Sequence, residues 1–191
     1  MKRVLLILAG LMTALTLSAR VPHLAFKGVQ IDGNLKNFTA NMEKKGFEVK
    51  ATGKGMVQME GDFAGYKNCL LNVTTLYQKD LVSFITLNIP YRTTWTALEA
   101  DYTNLKDMLT IKYGEPVESE ERFLSRVPKN DSDRLYELGM DRCVYTSLFR
   151  APYGEIRLTL CHNSSRTFHV ELKYVDRVNS EIIKSVAIGD L

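Results

Sequence analysis

One rhythm occurs twice in this chain: an amphipathic helical stripe closed by glycine, then residues alternating apolar and polar, first from Asp32 to Pro90 and again from Thr93 to Asp176. A change of period from about 3.6 to 2 marks a helix passing into strands. The pattern therefore predicts an α+β fold of two tandem similar halves, each a helix packed on an antiparallel β-meander. In the first half Leu35, Phe38 and Met42 form the stripe behind Asp32-Gly33-Asn34, and Lys44-Lys45-Gly46 ends it. Cationic residues there oppose the negative end of the helix dipole, and glycine at C′ takes the left-handed conformation that stops a helix. In the second half the stripe is Trp95, Leu98, Tyr102, Leu105 and Leu109, and Tyr113-Gly114-Glu115-Pro116 ends it. Thr96 and Glu99 fit a capping box, with Thr93 and Thr94 as rival starts.

Strand register follows from requiring one apolar face beneath each helix, because a slip of one residue turns every side chain to the other face. Pairing Gly61 with Cys69, Met59 with Leu71 and Val57 with Val73, then Val73 with Ile85 and Leu71 with Leu87, makes one face of the first sheet apolar. In the second half a fold at Ala151-Pro152-Tyr153 sets Val144 by Leu160 and Leu148 by Ile156. A further fold near Asn163-Ser164 sets Leu160 by Phe168, Leu158 by Val170 and Ile156 by Leu172. That register places Arg157 across from Glu171 and Glu155 across from Lys173, two opposite-charge pairs on the outer face. Between helix and strands lies a polar insertion, residues 117–140, with a turn at Pro128-Lys129-Asn130-Asp131 and a helical turn expected over 132–138.

The N-terminus reads as a signal peptide over residues 1–19: Lys2 and Arg3, an apolar run over 4–17, then Ser18 and Ala19. The run is roughly 14 residues, short of the ~20 that span a bilayer, so a cleavable secretory signal is expected, a retained anchor being the rival reading. No cysteine precedes Cys69, which removes the attachment point of a lipoprotein. The halves are then 20–91 and 92–191, and the chain is expected in the periplasm or outside the cell, with no transmembrane segment once mature. The formal charge of +3 includes Lys2 and Arg3, leaving +1 after cleavage. No Lys/Arg stripe accompanies it, which argues against nucleic acid as a partner.

Three cysteines in an exported chain raise the question of pairing. The register above sets Cys143 opposite Cys161, so a disulfide between them is expected, with Cys69 a buried thiol; three reduced cysteines packed as small hydrophobes is the alternative. His23, His162 and His169 share no His-x-x-x-His or Cys-x-x-Cys spacing, and no metal site is expected. No Gly-x-Ser-x-Gly, phosphate loop or calcium loop occurs, so neither catalytic residues nor a cofactor are assigned.

The outer face of the first sheet carries Met56, Leu70, Leu76, Val82 and Phe84 among Gln58, Asn72, Thr74, Thr86 and Asn88, a mixed apolar and amide surface suited to a partner. These observations point to an exported, non-enzymatic binding module that uses this sheet face or an inter-lobe groove. The partner is a protein or other extracytoplasmic ligand; an envelope enzyme with a site assembled between the halves is the alternative.

The stretch Phe26-Lys27-Gly28-Val29-Gln30-Ile31-Asp32-Gly33, followed by Leu35, Phe38, Met42 and Lys45-Gly46-Phe47, resembles the opening of a group of exported, uncharacterised proteins of Bacteroides-type bacteria. Their opening reads Phe-x-Gly-x-x-Ile-Asp-Gly before a helix ending in Lys-Gly, and Gln30 stands where proline is usual. The resemblance implies export from a Gram-negative cell and brings no catalytic residue. In topology, tandem helix-plus-sheet halves are also similar to β-lactamase inhibitory proteins.

Overall fold

The computed structural model describes residues 21–76, 79–125, 127–164 and 167–189; the expected signal, residues 1–19, lies outside them. Among the described residues the fold is α+β, with a small N-terminal hairpin, four helices and one eight-stranded antiparallel sheet. Chain order runs β1 (Ala25–Phe26), β2 (Val29–Gln30), α1 (Leu35–Glu43), β3 (Glu48–Gly53), β4 (Met56–Phe63), β5 (Tyr66–Leu76) and β6 (Lys79–Asn88). It continues with α2 (Trp95–Tyr113), β7 (Glu118–Phe123), α3 (Asp131–Gly139), β8 (Cys143–Ala151), β9 (Gly154–Ser164), β10 (Thr167–Asp176) and α4 (Arg177–Gly189). The sheet order is β3-β4-β5-β6-β10-β9-β8-β7. The two sheets expected from the pattern are thus one, joined where β6 pairs with β10. No helix among the described residues is long and apolar enough to cross a membrane.

Local chemistry sets the helices as the sequence implies. Asn34 caps α1 by accepting the Asn37 N–H at 2.8 Å, and α2 starts at the rival cap Thr94, whose hydroxyl accepts the Ala97 N–H. Gly114 ends α2 at φ 86°, a conformation that strains a side chain with Cβ. Thr96 is held by Asp131, which accepts its N–H at 3.0 Å and its hydroxyl at 2.9 Å, so the start of α3 ties down the start of α2. These bonds hold the Asp131 carboxyl below its ordinary range. A depressed carboxyl stabilises above its unfolded pKa and loses that contribution as pH falls through the folded one. Asp131→Ala is therefore expected to lower the urea midpoint at neutral pH, with the difference from wild type vanishing in acid; a difference that persists in acid would show that the bond is not the cause.

Helix and sheet meet over one apolar surface. A row crossing six strands, Val57, Val73, Ile85, Tyr174, Ile156 and Phe149, is buried throughout. Phe38 and Met42 of α1 and Trp95, Leu98, Tyr102 and Leu105 of α2 belong to the same core. Tyr102 Oη and Ser147 Oγ are 2.8 Å apart, which satisfies two polar groups within it.

The pairings expected for β4, β5 and β6 are those observed, from Gly61 with Cys69 to Leu71 with Leu87. The second half differs. Ala151 pairs with Gly154 around a two-residue turn, not the three-residue fold expected, with Tyr153 at φ 67°. That moves the β8–β9 pairing by one residue, so Phe149, not Leu148, meets Ile156 and the two cysteines part to opposite faces. Cys69, Cys143 and Cys161 are all free thiols, so the expected disulfide is not formed. Between β9 and β10 the ladder starts with Ser164 on Thr167 and has a register irregularity at Thr167/Phe168, which leaves the pairing two residues from the expected one: Leu158 meets Leu172 and Ile156 meets Tyr174. A slip of two preserves the faces and changes the partners, so Arg157 lies across from Lys173 and Glu155 from Val175, and the two expected ion pairs are absent from the ladder. The polar insertion supplies the edge strand β7 as well as α3.

Candidate functional site

The face of the sheet opposite the core is crossed by a second row, Gln58, Asn72, Thr86, Lys173, Arg157 and Leu148, one residue from each of six neighbouring strands. The first five side chains are half-buried and only Leu148 is buried, whereas the core row is buried from end to end. At the strand spacing of ~4.8 Å the eight-stranded surface is roughly 30 Å wide. Gln58 Nε2 donates to Asn72 Oδ1 at 3.0 Å. Lys173 lies over the Phe84 ring, its Nζ 4.8 Å from the centroid, a cation–π contact.

Of the five apolar residues placed on this face from the sequence, Met56 is exposed and Leu70 and Phe84 are half-buried. The Leu76 side chain lies outside what is described. Val82 is not on the surface: it is fully buried, its N–H donating to Gly33 O at 2.9 Å and its carbonyl accepting from Asn179. Register irregularities at Thr74/Thr75 and Thr75/Leu76 break the alternation that would have exposed it.

The same face holds a cluster that sequence reasoning missed. Cys161 on β9 pairs with His169 on β10, and Glu171 follows two residues later on the same face, so the ligand-type atoms of all three lie within 4.8 Å of one another. His169 is 2% exposed and its Nδ1 has no hydrogen-bond partner. It is buried because the segment between β6 and α2 folds along β10: Ile89 N donates to Val170 O at 2.9 Å and Arg92 N to Phe168 O at 2.8 Å. Tyr91, between them, stands edge-on to the imidazole at 5.5 Å, and Asn163 Nδ2 donates to its hydroxyl at 2.6 Å. Asn88, which pairs with Glu171, has a second buried and unpartnered atom, Oδ1.

Electrostatics in the cluster disfavour isolated charges. Burial, then the neighbouring Glu171, pushes the Cys161 thiol up to about 12. Burial raises the Glu171 carboxyl against the pull of Lys173. Burial, then His162, lowers the His169 imidazole. The signal that could have found the cluster is His169-Val170-Glu171, where a period of two sets both polar groups on one strand face. The sequence register put His169 beside Thr159, two residues from its actual partner.

His23 belongs elsewhere. Its Nδ1 is 3.0 Å from Asp176 Oδ1, in a knot that ties the N-terminal segment to α4. His162 Nε2 is 3.1 Å from Asp141 Oδ1 at the surface. A groove of about 660 Å³ runs between α1 and the β3–β4 hairpin, lined by Thr39, Ala40, Thr52 and Val57 among others. Where β6 meets β10 the strands are hydrogen-bonded to each other, not separated by a cleft. In comparisons with protein-family models, curated proteins and solved structures, no match to this chain was found.

Proposed function

We propose that this chain is an exported, non-enzymatic binding module built from two similar halves, which presents the open face of its sheet to a protein or other extracytoplasmic partner. The carrying observation is the contrast between the two faces: Val57 to Phe149 buried throughout, Gln58 to Arg157 half-exposed across the sheet. The half-exposed row crosses five strands, roughly 20 Å at ~4.8 Å per strand, and strands of about ten residues run ~33 Å, an area on the scale of a standard interface of ~800 Å² per partner. Export rests on the order of Lys2-Arg3, the apolar run and Ser18-Ala19. The duplication is supported by the order of elements, a helix before each set of four sheet strands, and by a sheet order that runs from β3 to β6 at one edge and from β7 to β10 at the other.

The surface also has a chemical bias. Arg157 and Lys173 lie across from one another near its middle, and like charges so placed repel. An acidic group on the partner relieves that repulsion, so a partner presenting a carboxylate is favoured.

A photo-reactive phenylalanine at Thr86 is expected to crosslink a discrete envelope partner, while the same group at Met108, on the exposed side of α2, does not. Phe84→Asp should abolish the Thr86 product and leave Tm within about 2 °C of wild type, as for a surface substitution worth ~0.5 kcal/mol. A large fall in Tm would show that the face is covered, and equal crosslinking from Met108 would remove the assignment to this face.

A further inference from the structure

We infer that Cys161, His169 and Glu171 form a binding site for a borderline-soft divalent metal ion, with Zn²⁺ the best fit. The donor set is the first reason. A thiolate, an imidazole and a carboxylate are the three ligand types that Zn²⁺ accepts, and a mixed set of this kind suits Zn²⁺ better than Mg²⁺ or Ca²⁺, which require oxygen ligands. Geometry is the second. Ligand atoms on a shared tetrahedral ion stand ~3.3–3.8 Å apart, so atoms already within 4.8 Å reach it by small side-chain rotations with no movement of the strands. Two adjacent antiparallel strands are a rigid base for such a site.

His169 is the third and independent reason. Its ring is 2% exposed, and Nδ1 lies buried without a partner. An unpaired polar atom in that position is unfavourable, and coordination is a way for an imidazole to satisfy a buried nitrogen that has no hydrogen-bond partner. Charge balance agrees. A dication with one thiolate, one carboxylate and a neutral imidazole has no net charge, which suits a half-buried setting where separate charges are unfavourable. Binding breaks the Cys161 S–H bond, forms a metal–sulfur bond and releases the proton to solvent; no electrons are transferred. Three protein ligands leave the fourth tetrahedral position to water or to a ligand from outside. This inference does not depend on the partner proposed above.

The test uses the reduced, mature protein freed of metal by chelation and titrated with Co²⁺ and then Zn²⁺. One equivalent of Co²⁺ is expected to give a sulfur-to-cobalt charge-transfer band that one equivalent of Zn²⁺ removes, with proton release in weak buffer. Cys161→Ser should eliminate the band, and Glu171→Gln and His169→Asn should each weaken binding at least ~10-fold. Cys161→Ser and Glu171→Gln are close in size to the native residues, so circular dichroism should show both folded. Cys69→Ala, which changes a thiol of the opposite face, should retain the band. No band in the wild type, a band that persists in Cys161→Ser, or wild-type affinity for Zn²⁺ in Cys161→Ser and Glu171→Gln would each overturn the site.

Discussion

Asp176→Ala is expected to destabilise the protein by about 3 kcal/mol, seen as a fall in Tm of roughly 10 °C. Asp176 is fully buried at the end of β10, and its carboxylate accepts two backbone hydrogen bonds and meets the His23 imidazole. Leu24 N donates to Oδ2 at 2.7 Å, Asn179 N donates to Oδ1 at 2.8 Å, and His23 Nδ1 lies 3.0 Å from Oδ1. The Asn179 bond is that of an N-cap, three residues into α4. Asn179 then carries the connection further, its Nδ2 lying 3.1 Å from Ile31 O, 2.9 Å from Asp32 Oδ1 and 3.0 Å from Val82 O. One carboxylate therefore joins the N-terminal segment, the end of the sheet and the last helix. Alanine orphans two buried backbone N–H groups, each at ~1–3 kcal/mol, and gives nothing back by packing. Equilibrium unfolding in urea measures the loss, and a Tm within 2 °C of wild type would show that these three elements are not held at Asp176.

Gly154→Ala is expected to cost about 3 kcal/mol, the upper end of the range for overpacking. A Cβ at Gly154 would stand 2.2 Å from the Val175 carbonyl oxygen and 3.0 Å from Leu24 Cδ2. The first contact is with backbone, which cannot rotate away, so the β9–β10 ladder must open at the point where Gly154 pairs with Asp176. Gly189→Ala is the matched control: nothing lies within 4 Å of its added Cβ, and the change should be neutral or slightly stabilising. The two largest effects share Leu24 and the end of β10, so the double variant Gly154→Ala/Asp176→Ala should lose less than the sum of the singles. Additive losses would mean that the two sites do not share one strained contact.

The Asp176 knot was invisible in the sequence because it is made by residues about 150 positions apart, His23 and Asp176 or Leu24 and Asp176. Nothing in local periodicity marks Asp176 as buried, and α4 beyond it was not foreseen. The helices were legible because their signals are local: Phe38 and Met42, or Trp95 and Leu98, lie within one turn of each other and the caps and glycines sit beside them. The first meander was legible for a related reason. Its apolar residues allow one register, and the bulges at its ends leave the central pairs untouched.

The second meander shows where pattern reasoning fails. Apolar residues on β8 occur at both parities, Leu148 beside Phe149 and Val144 beside Tyr145, so either face satisfies the pattern and turn geometry decides. The two-residue turn at Pro152-Tyr153 chose the register that separates Cys143 from Cys161. The irregularity at Thr167/Phe168 then brought His169 to Cys161. The candidate site therefore depends on a one-residue and a two-residue choice, neither of which changes the composition or the period of any strand.

By itself the sequence determined an α+β chain with two glycine-closed helices, two runs of strands and one apolar face beneath the helices, because period, caps and turns act between near neighbours. Only the tertiary structure decided that the strands form one sheet, that the row from Gln58 to Arg157 on its far face is left half-exposed, and that Cys161, His169 and Glu171 meet on that face. Those outcomes follow from how distant strands pair, β6 with β10 above all, and hydrogen bonding between backbones is blind to the side chains it brings together.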